Sequence, residues 1–177
     1  MAVLGNQTVG GFSWSYYSTN NQASTSTYWQ MPTGGTITSV SFYAGGPAVY
    51  QGIVWDTGGN ILFGSNTISV GAEGWNSASA SAHMNLGQLF RIGWWRQNTV
   101  GYCNWSTAPS GTSWYLTESG PTAMRGYSSL QGELGAYITY TPDAPPAPTP
   151  VPAPTPTSQA INSRNFYLMT KVGLLPG

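Results

Sequence analysis

The residues that could carry out acid–base or nucleophilic chemistry are few in this sequence. Its 177 residues include one histidine, His83, one cysteine, Cys103, and five acids. A catalytic triad needs a nucleophile, a base and a coupled acid within hydrogen-bond reach. His83 lies in a stretch where it alternates onto the same side as Ser and Asn residues, which is typical of a surface histidine. We therefore predict no enzyme activity, no catalytic residue and no cofactor.

Two acids, Glu118 and Glu133, are the remaining candidates for catalysis. A pair of carboxyl groups is what most glycosidases use to hydrolyse a glycosidic bond. No recognisable motif surrounds either residue in the sequence. An enzyme that depends on Glu118 therefore stays the third alternative, behind a structural protein and a binding protein.

Metal binding is poorly supported by the residue types present. One histidine and one cysteine cannot supply the ligands of a zinc site. Asp56 and Asn60, with the carbonyl groups between them, have the oxygen atoms that Ca²⁺ prefers. The same segment lies between two apolar runs and contains Gly58 and Gly59, which favours a hairpin loop capped by its own side chains. We predict no metal site.

Charge is scarce and balanced. Charged residues make up 6% of the chain, and five basic residues balance five acidic ones. Binding to nucleic acid depends on a basic patch that neutralises phosphates, and none is evident. No apolar run approaches the roughly 18 residues of a membrane span, and the first residues lack the basic and apolar regions of a signal peptide. We predict no nucleic-acid partner and no membrane partner.

Aromatic residues are abundant, with eight Trp and eleven Tyr, and the polar residues are mostly neutral. Such a surface hydrogen-bonds without charge and offers rings for stacking. Trp94 lies on the same side of its predicted strand as Phe90 and Ile92, and both Trp94 and Trp55 are predicted to be buried. Trp95 falls on the opposite side of its strand, where it would serve a ligand or a subunit interface. The predicted glycan or partner contacts are Tyr16, Tyr17, Trp95, Trp105 and Trp114.

Short alternating segments, separated by turn residues about every ten positions, predict an all-β fold. The clearest runs from Ser77 to Leu86, with Ala and then Met84 and Leu86 on one side and Ser, His83 and Asn85 on the other. This spacing is typical of a sandwich or a barrel, and we predict an antiparallel β-sandwich over residues 1–141. The other predicted strands are Ile37–Ala44, Val49–Trp55, Asn60–Phe63, Thr67–Val70, Gln88–Gln97, Val100–Trp105, Ser113–Thr117 and Ala136–Thr141.

The sequence after the predicted domain changes character. Residues 142–157 form a Pro-rich spacer, and proline, which lacks an N–H group, does not join a sheet interior. We expect a polyproline II rod of roughly 45 Å. Residues 158–177 are predicted to be an anchoring arm that docks on a partner or on its own domain. The apolar residues of this arm are Phe166, Tyr167, Leu168, Met169, Val172, Leu174 and Leu175.

Four segments between residues 36 and 105 carry a resemblance to a known family. They are 38–43 (TSVSFY), 52–62 (GIVWDTGGNIL), Gly74-Trp75 and 86–94 (LGQLFRIGW). The chain resembles jelly-roll β-sandwich domains of the carbohydrate-binding-module type, which occur in bacterial surface proteins and phage virion proteins. The resemblance implies a jelly-roll sandwich with ligand or partner contacts, and it implies no catalytic residues.

These observations predict a bacteriophage virion protein: a capsid decoration, head-fibre or tail-associated subunit, attached by its C-terminal arm. The expected partners are other virion proteins, further copies of the chain and a host-surface glycan. The neutral, aromatic-rich composition resembles that of proteins exposed outside the cell, although no signal peptide is visible. A virion protein would account for both observations, because it is assembled in the host cytoplasm and faces the outside later. The alternative is a carbohydrate-binding module or adhesin fragment that binds glycans through exposed Trp and Tyr residues.

Overall fold

The computed structural model describes residues 1–8, 12–13, 21–25, 27–97, 106–116, 120–124 and 128–147. Only the backbone is described for residues 12–13, 21, 106–116 and 128–133. The described part of the chain consists of strands, turns and bends, and it contains no helix, so none of it offers a helix that could cross a membrane.

Twelve strands make up the described structure. In chain order they are β1 (Ala2–Asn6), β2 (Phe12–Ser13), β3 (Asn21–Thr25), β4 (Trp29–Gln30), β5 (Gly35–Ala44), β6 (Ala48–Trp55), β7 (Ile61–Val70), β8 (Gly74–Met84), β9 (Leu89–Gln97), β10 (Ser106–Leu116), β11 (Ser128–Leu134) and β12 (Ala136–Pro142).

The strands form two antiparallel sheets. The smaller sheet has four strands in the order β1-β12-β5-β8, and the larger has eight. Six strands of the larger sheet follow the order β11-β10-β3-β9-β6-β7, while β2 pairs with β10 and β4 pairs with β9. The predicted all-β, antiparallel class is confirmed.

One hydrophobic core joins the two sheets. Phe42 of β5 contacts Tyr50 of β6, with ring centroids 5.5 Å apart, and Tyr50 meets Trp94 of β9 edge-on at 5.4 Å. The close approach of β5 and β6 across the core requires a glycine at position 52 of β6, since a Cβ there would lie 2.6 Å from the Cβ of Val40 in β5. The largest buried core side chains are Met31, Ile37, Phe42, Tyr50, Met84, Phe90, Ile92 and Trp94.

The alternation predicted for β8 is confirmed from Ser77 to Met84, where Ser and His83 are exposed and Ala78 and Met84 are buried. The strand ends at Met84, however, so the expectation that Leu86 continues its apolar side is wrong. Leu86 is 71% exposed in the turn that precedes β9. The backbone turns at Gly87, whose φ of 79° is readily adopted only by glycine.

Other strand predictions differ from the structure in extent. Two predicted segments, Asn60–Phe63 and Thr67–Val70, form the single strand β7, because register shifts opposite β6 accommodate the intervening residues. Five strands, β1, β2, β3, β4 and β11, were not predicted at all. The predicted strand Val100–Trp105 lies outside the described residues.

The chain divides into one unit of Met1–Ala144 and a second of Pro145–Gly177. The last strand of the first unit ends at Pro142, one residue beyond the predicted boundary. Residues 145–147, which begin the second unit, are exposed. The remainder of the predicted spacer and the whole of the predicted arm, with all seven of its apolar residues, lie outside the described residues.

Candidate functional site

Three aromatic side chains gather on the outer side of the four-stranded sheet, the side turned away from the core. They are Tyr43 of β5, Trp75 of β8 and Tyr137 of β12, which we call the ring cluster. Tyr43 lies directly opposite Trp75 in the β5–β8 ladder, and Tyr137 lies opposite Ser41 in the β5–β12 ladder. Because side chains two residues apart on a strand share a side, this register brings the three rings together.

The rings of the cluster contact one another at defined angles. Tyr43 meets Trp75 edge-on, with centroids 5.9 Å apart and planes at 85°. Trp75 and Tyr137 are 5.2 Å apart and tilted by 50°. A Cβ at Gly135 would lie 3.3 Å from Cη2 of Trp75, so a small residue there gives the indole its space. Contacts of this kind orient the rings and limit their rotation.

The ring cluster is accessible to solvent. Trp75 is 38% exposed, and Tyr43 and Tyr137 are partly exposed. Trp75 is the only tryptophan among the exposed large hydrophobic residues of the described part of the chain. A partly exposed tryptophan whose position is fixed by two tyrosines is a ready surface for stacking.

Neutral hydroxyl groups extend from the ring cluster along the sheet. The Oγ of Ser41 donates a hydrogen bond to the Oγ of Ser77 at 3.0 Å. Further along β8, Ser79 and Ser81 are exposed on the same side as Trp75 and Ser77. The described part of this surface therefore combines rings with hydroxyl donors and acceptors, the mixture found in sites for uncharged polar ligands.

One carboxylate adjoins the ring cluster. The hydroxyl of Tyr43 donates a hydrogen bond to Oε1 of Glu73 at 3.0 Å. The pKa of Tyr43 is raised above its ordinary value, first by desolvation, then by this hydrogen bond and by the negative charge of Glu73. Tyr43 therefore stays protonated at neutral pH and holds the exposed carboxylate beside the rings.

No Lys or Arg side chain is exposed on the described surface. Arg91 and Arg96 are the only such residues in the described ranges, and they are 2% and 1% exposed. The guanidinium of Arg91 lies 4.9 Å from the ring centroid of Tyr28, a cation–π contact. The described surface therefore has no guanidinium or ammonium side chain with which to bind a phosphate or sulfate group.

The structure corrects the predicted exposure of Trp95. Its side chain is 5% exposed and packs in a second cluster with Ile53, Trp55 and Met124. The expectation assumed that the outer side of the larger sheet faces solvent. Instead, residues 120–124, which we call the strap, contribute Met124 to that side, so Trp95 is buried despite its outward position. The burial predicted for Trp55 and Trp94 is confirmed.

The other predicted contact residues are not placed with their side chains. Tyr16, Tyr17 and Trp105 lie outside the described residues. Trp114 belongs to β10, where its backbone pairs with Ser24 of β3 and Ser129 of β11, but its side chain lies outside the described part. Glu118 also lies outside, and Glu133 is described only by its backbone in β11.

The loop between β6 and β7 has the predicted side-chain cap. Oδ1 of Asp56 accepts a hydrogen bond from the backbone N–H of Asn60 at 2.8 Å, and Oδ2 accepts one from the Asn60 amide at 2.9 Å. His83 is half exposed, as predicted, and its Nε2 lies 3.1 Å from Oδ2 of Asp143. Among the described residues, no three His, Cys, Asp or Glu side chains group as metal ligands would.

Trp75 is the site residue that the sequence reasoning missed. The alternation in the sequence could have identified it. Positions 77, 79, 81 and 83 lie on the Ser-bearing side of β8, and position 75 lies on the same side because it continues the alternation. The predicted strand begins at Ser77, whereas β8 begins at Gly74 and therefore includes Trp75. Its partners Tyr43 and Tyr137 could not be identified without the strand order.

Comparison with known proteins matches the chain to no family model, no curated protein and no solved structure. The ring cluster and its surroundings are therefore the basis on which a function is proposed.

Proposed function

We propose that this chain is a non-enzymatic recognition protein built on a jelly-roll β-sandwich, and that its ring cluster binds a neutral glycan. The observation that carries the proposal is the partly exposed Trp75, held between Tyr43 and Tyr137 beside the carboxylate of Glu73. The proposal adopts the alternative prediction from the sequence, a glycan-binding protein, and assigns the binding to different residues.

The strand order supports the jelly-roll assignment. Eight strands, β1, β3, β5, β6, β7, β8, β9 and β12, are numbered one to eight for this comparison. The smaller sheet then has the order 1-8-3-6, and four adjacent strands of the larger sheet, ending at its β7 edge, have the order 2-7-4-5. A chain that winds back and forth between two four-stranded sheets in this way has jelly-roll topology. The β10–β11 hairpin would then be an insertion that widens the second sheet.

The chemistry of the ring cluster suits a sugar. A pyranose has C–H groups that pack on an aromatic face and hydroxyl groups that need hydrogen-bond partners. The indole of Trp75 supplies the apolar contact, while Glu73 and Ser77 supply an acceptor and a hydroxyl near it. A hydrogen bond to a carboxylate is stronger than one between neutral groups, so Glu73 would fix the orientation of the bound ring.

The distribution of charge supports an uncharged ligand. Both described arginines are buried, and Glu73 would repel an anionic group placed at the rings. A sialylated or sulfated glycan would therefore lose the cationic contacts that usually bind its charge. A neutral hexose or N-acetylhexosamine meets no such penalty.

A glycan array tests this proposal. We expect the protein to bind neutral glycans and Trp75→Ala to lose that binding, while Trp75→Phe retains part of it because a ring remains. Leu86→Ala is the control, since it removes a more exposed apolar side chain outside the ring cluster. Unchanged binding by Trp75→Ala, or a preference for anionic glycans, would contradict the proposal.

The composition favours a second, compatible candidate, a subunit of a bacteriophage virion that displays this domain. Charged residues are only 6% of the chain, and eight of its thirteen prolines lie in residues 142–156, before the apolar C-terminal segment. In this proposal the protein is a capsid decoration, head-fibre or tail-associated subunit, contacts other virion proteins and assembles in the host cytoplasm. Deletion of residues 158–177 should abolish incorporation into particles, and normal occupancy in that mutant would refute attachment through the arm.

A further inference from the structure

We propose that the glycan site is extended, and that a cleft between β7 and β8 binds a more distant sugar unit of the same ligand. This inference rests on the proposed function, because the first unit is the one stacked at the ring cluster. It specifies the ligand further, as a linear neutral oligosaccharide of several units that lies along β8.

The cleft lies where the edge strands of the two sheets, β7 and β8, come together. Its volume is about 410 Å³, and it is lined by Gly64 and Asn66 of β7 and by residues 79–81 of β8. The Nδ2 of Asn66 donates a hydrogen bond of 2.8 Å to the Oγ of Ser79, which joins the two strands across the opening. The two edge strands are therefore linked by a side-chain hydrogen bond at the cleft.

The cleft and the ring cluster share a strand surface. Ser79 lines the cleft and lies on the same side of β8 as Trp75, four residues further along the strand. Four residues of a β-strand span about 13 Å, which exceeds the reach of a single pyranose. Ser77 lies between the two points and is exposed on the same side. A ligand that contacts both points must therefore contain several linked sugars.

The groups that line the cleft are those that a neutral sugar needs. The Asn66 amide has a carbonyl oxygen and a second N–H besides the one bonded to Ser79, and Ser79 and Ser81 carry hydroxyls. Gly64 and Ala80 complete the lining with small apolar surface. None of the lining residues is ionisable, so the cleft has the same preference for an uncharged ligand as the ring cluster.

Calorimetric titration with oligosaccharides of increasing length tests the inference. The probes are linear gluco-, manno- and N-acetylgluco-oligosaccharides of two to six units. We expect the affinity of the recognised series to rise with length until the chain spans both contacts. Asn66→Ala and Ser79→Ala should each weaken binding of the longest member about threefold to tenfold, the loss of one or two neutral hydrogen bonds, and leave the disaccharide unchanged.

Ser69→Ala is the matched control, because it removes an exposed hydroxyl from β7 outside the cleft. Binding that requires Trp75 but has the same affinity at every length would overturn the extended site and leave the proposed function intact. An equal loss of disaccharide and hexasaccharide affinity in Asn66→Ala would do the same. Failure of every oligosaccharide to bind would overturn both.

Discussion

Glu73 acts on the ring cluster through a single hydrogen bond to Tyr43. Desolvation of the phenol, then the hydrogen bond and the negative charge of Glu73, favour the protonated form of Tyr43, which is why its pKa is raised. The folded state therefore binds this proton more tightly than the unfolded chain does. The stability that results is fully present below the ordinary tyrosine pKa of 10.0 and is lost as the pH rises through the folded-state pKa.

Substitution of Glu73 by Gln should lower the pKa of Tyr43 towards its ordinary value, because the negative charge is removed. Part of the shift should remain, since desolvation is its largest cause. The measurement is an NMR titration of ¹³C-labelled tyrosine between pH 8 and 12, with Tyr43→Phe identifying the resonance. A midpoint in Glu73→Gln that stays in place or rises would show that Glu73 does not set this pKa.

At the level of single residues, the sequence distinguished buried from exposed tryptophans only in part. The alternation along β9 correctly places Trp94 and Trp95 on opposite sides of the strand. It could not show that the strap covers Trp95. The alternation along β8 places Trp75 on the exposed side, but the predicted strand starts at Ser77, three residues after the start of β8 at Gly74, and so leaves Trp75 out. Tyr43 and Tyr137 join Trp75 through pairing between strands that are far apart in the sequence. The alternation within one strand gives no information on such pairing.

Among the elements, the strap shows how a chain segment without regular structure becomes part of the core. Gln22 of β3 is fully buried and forms three hydrogen bonds with Thr122, accepting one from its N–H and donating to its carbonyl and hydroxyl oxygens. The indole N–H of Trp55 donates to the same carbonyl at 3.0 Å. The backbone N–H of Met124 donates to the carbonyl of Gly59 at 2.7 Å.

Removal of these strap contacts should destabilise the fold. Gln22→Ala should lower the free energy of unfolding by about 1–3 kcal/mol, because it removes three partly buried hydrogen bonds to Thr122 and leaves the Thr122 N–H without its acceptor. Met124→Ala should cost about 2–5 kcal/mol through the cavity that it leaves. Gln30→Ala, which removes an exposed hydrogen bond to Gly87, is the control and should change stability by less than about 0.5 kcal/mol.

Urea unfolding measures these differences. Equal stabilities for Gln22→Ala and Gln30→Ala would show that the strap does not stabilise the larger sheet.

The strands that were predicted and those that were missed differ in composition. β5, β6 and β9 contribute alternating apolar side chains to the core and were found from that pattern. β3, with the sequence NQAST, has one apolar residue, Ala23, and lies between β10 and β9. Backbone pairing with two neighbours places β3 in the sheet. Hydrophobic periodicity cannot detect a strand of that kind.

On the scale of the whole molecule, two features determine the proposed role. The sheets share one core, so the outer side of the smaller sheet is left to carry the ring cluster. The chain has no net charge, so recognition must come from rings, hydroxyls and a single carboxylate rather than from a long-range electrostatic field. We therefore expect binding to depend little on salt concentration.

The central claim, that a neutral glycan stacks on Trp75, is tested most directly by an NMR titration of the tryptophan indole N–H resonances. Addition of the oligosaccharide that binds best should shift the Trp75 resonance, assigned with Trp75→Phe, in proportion to occupancy. The Trp95 resonance should not move, because that side chain is 5% exposed. Saturating ligand that leaves the Trp75 resonance in place, while other indole resonances shift, would contradict the account.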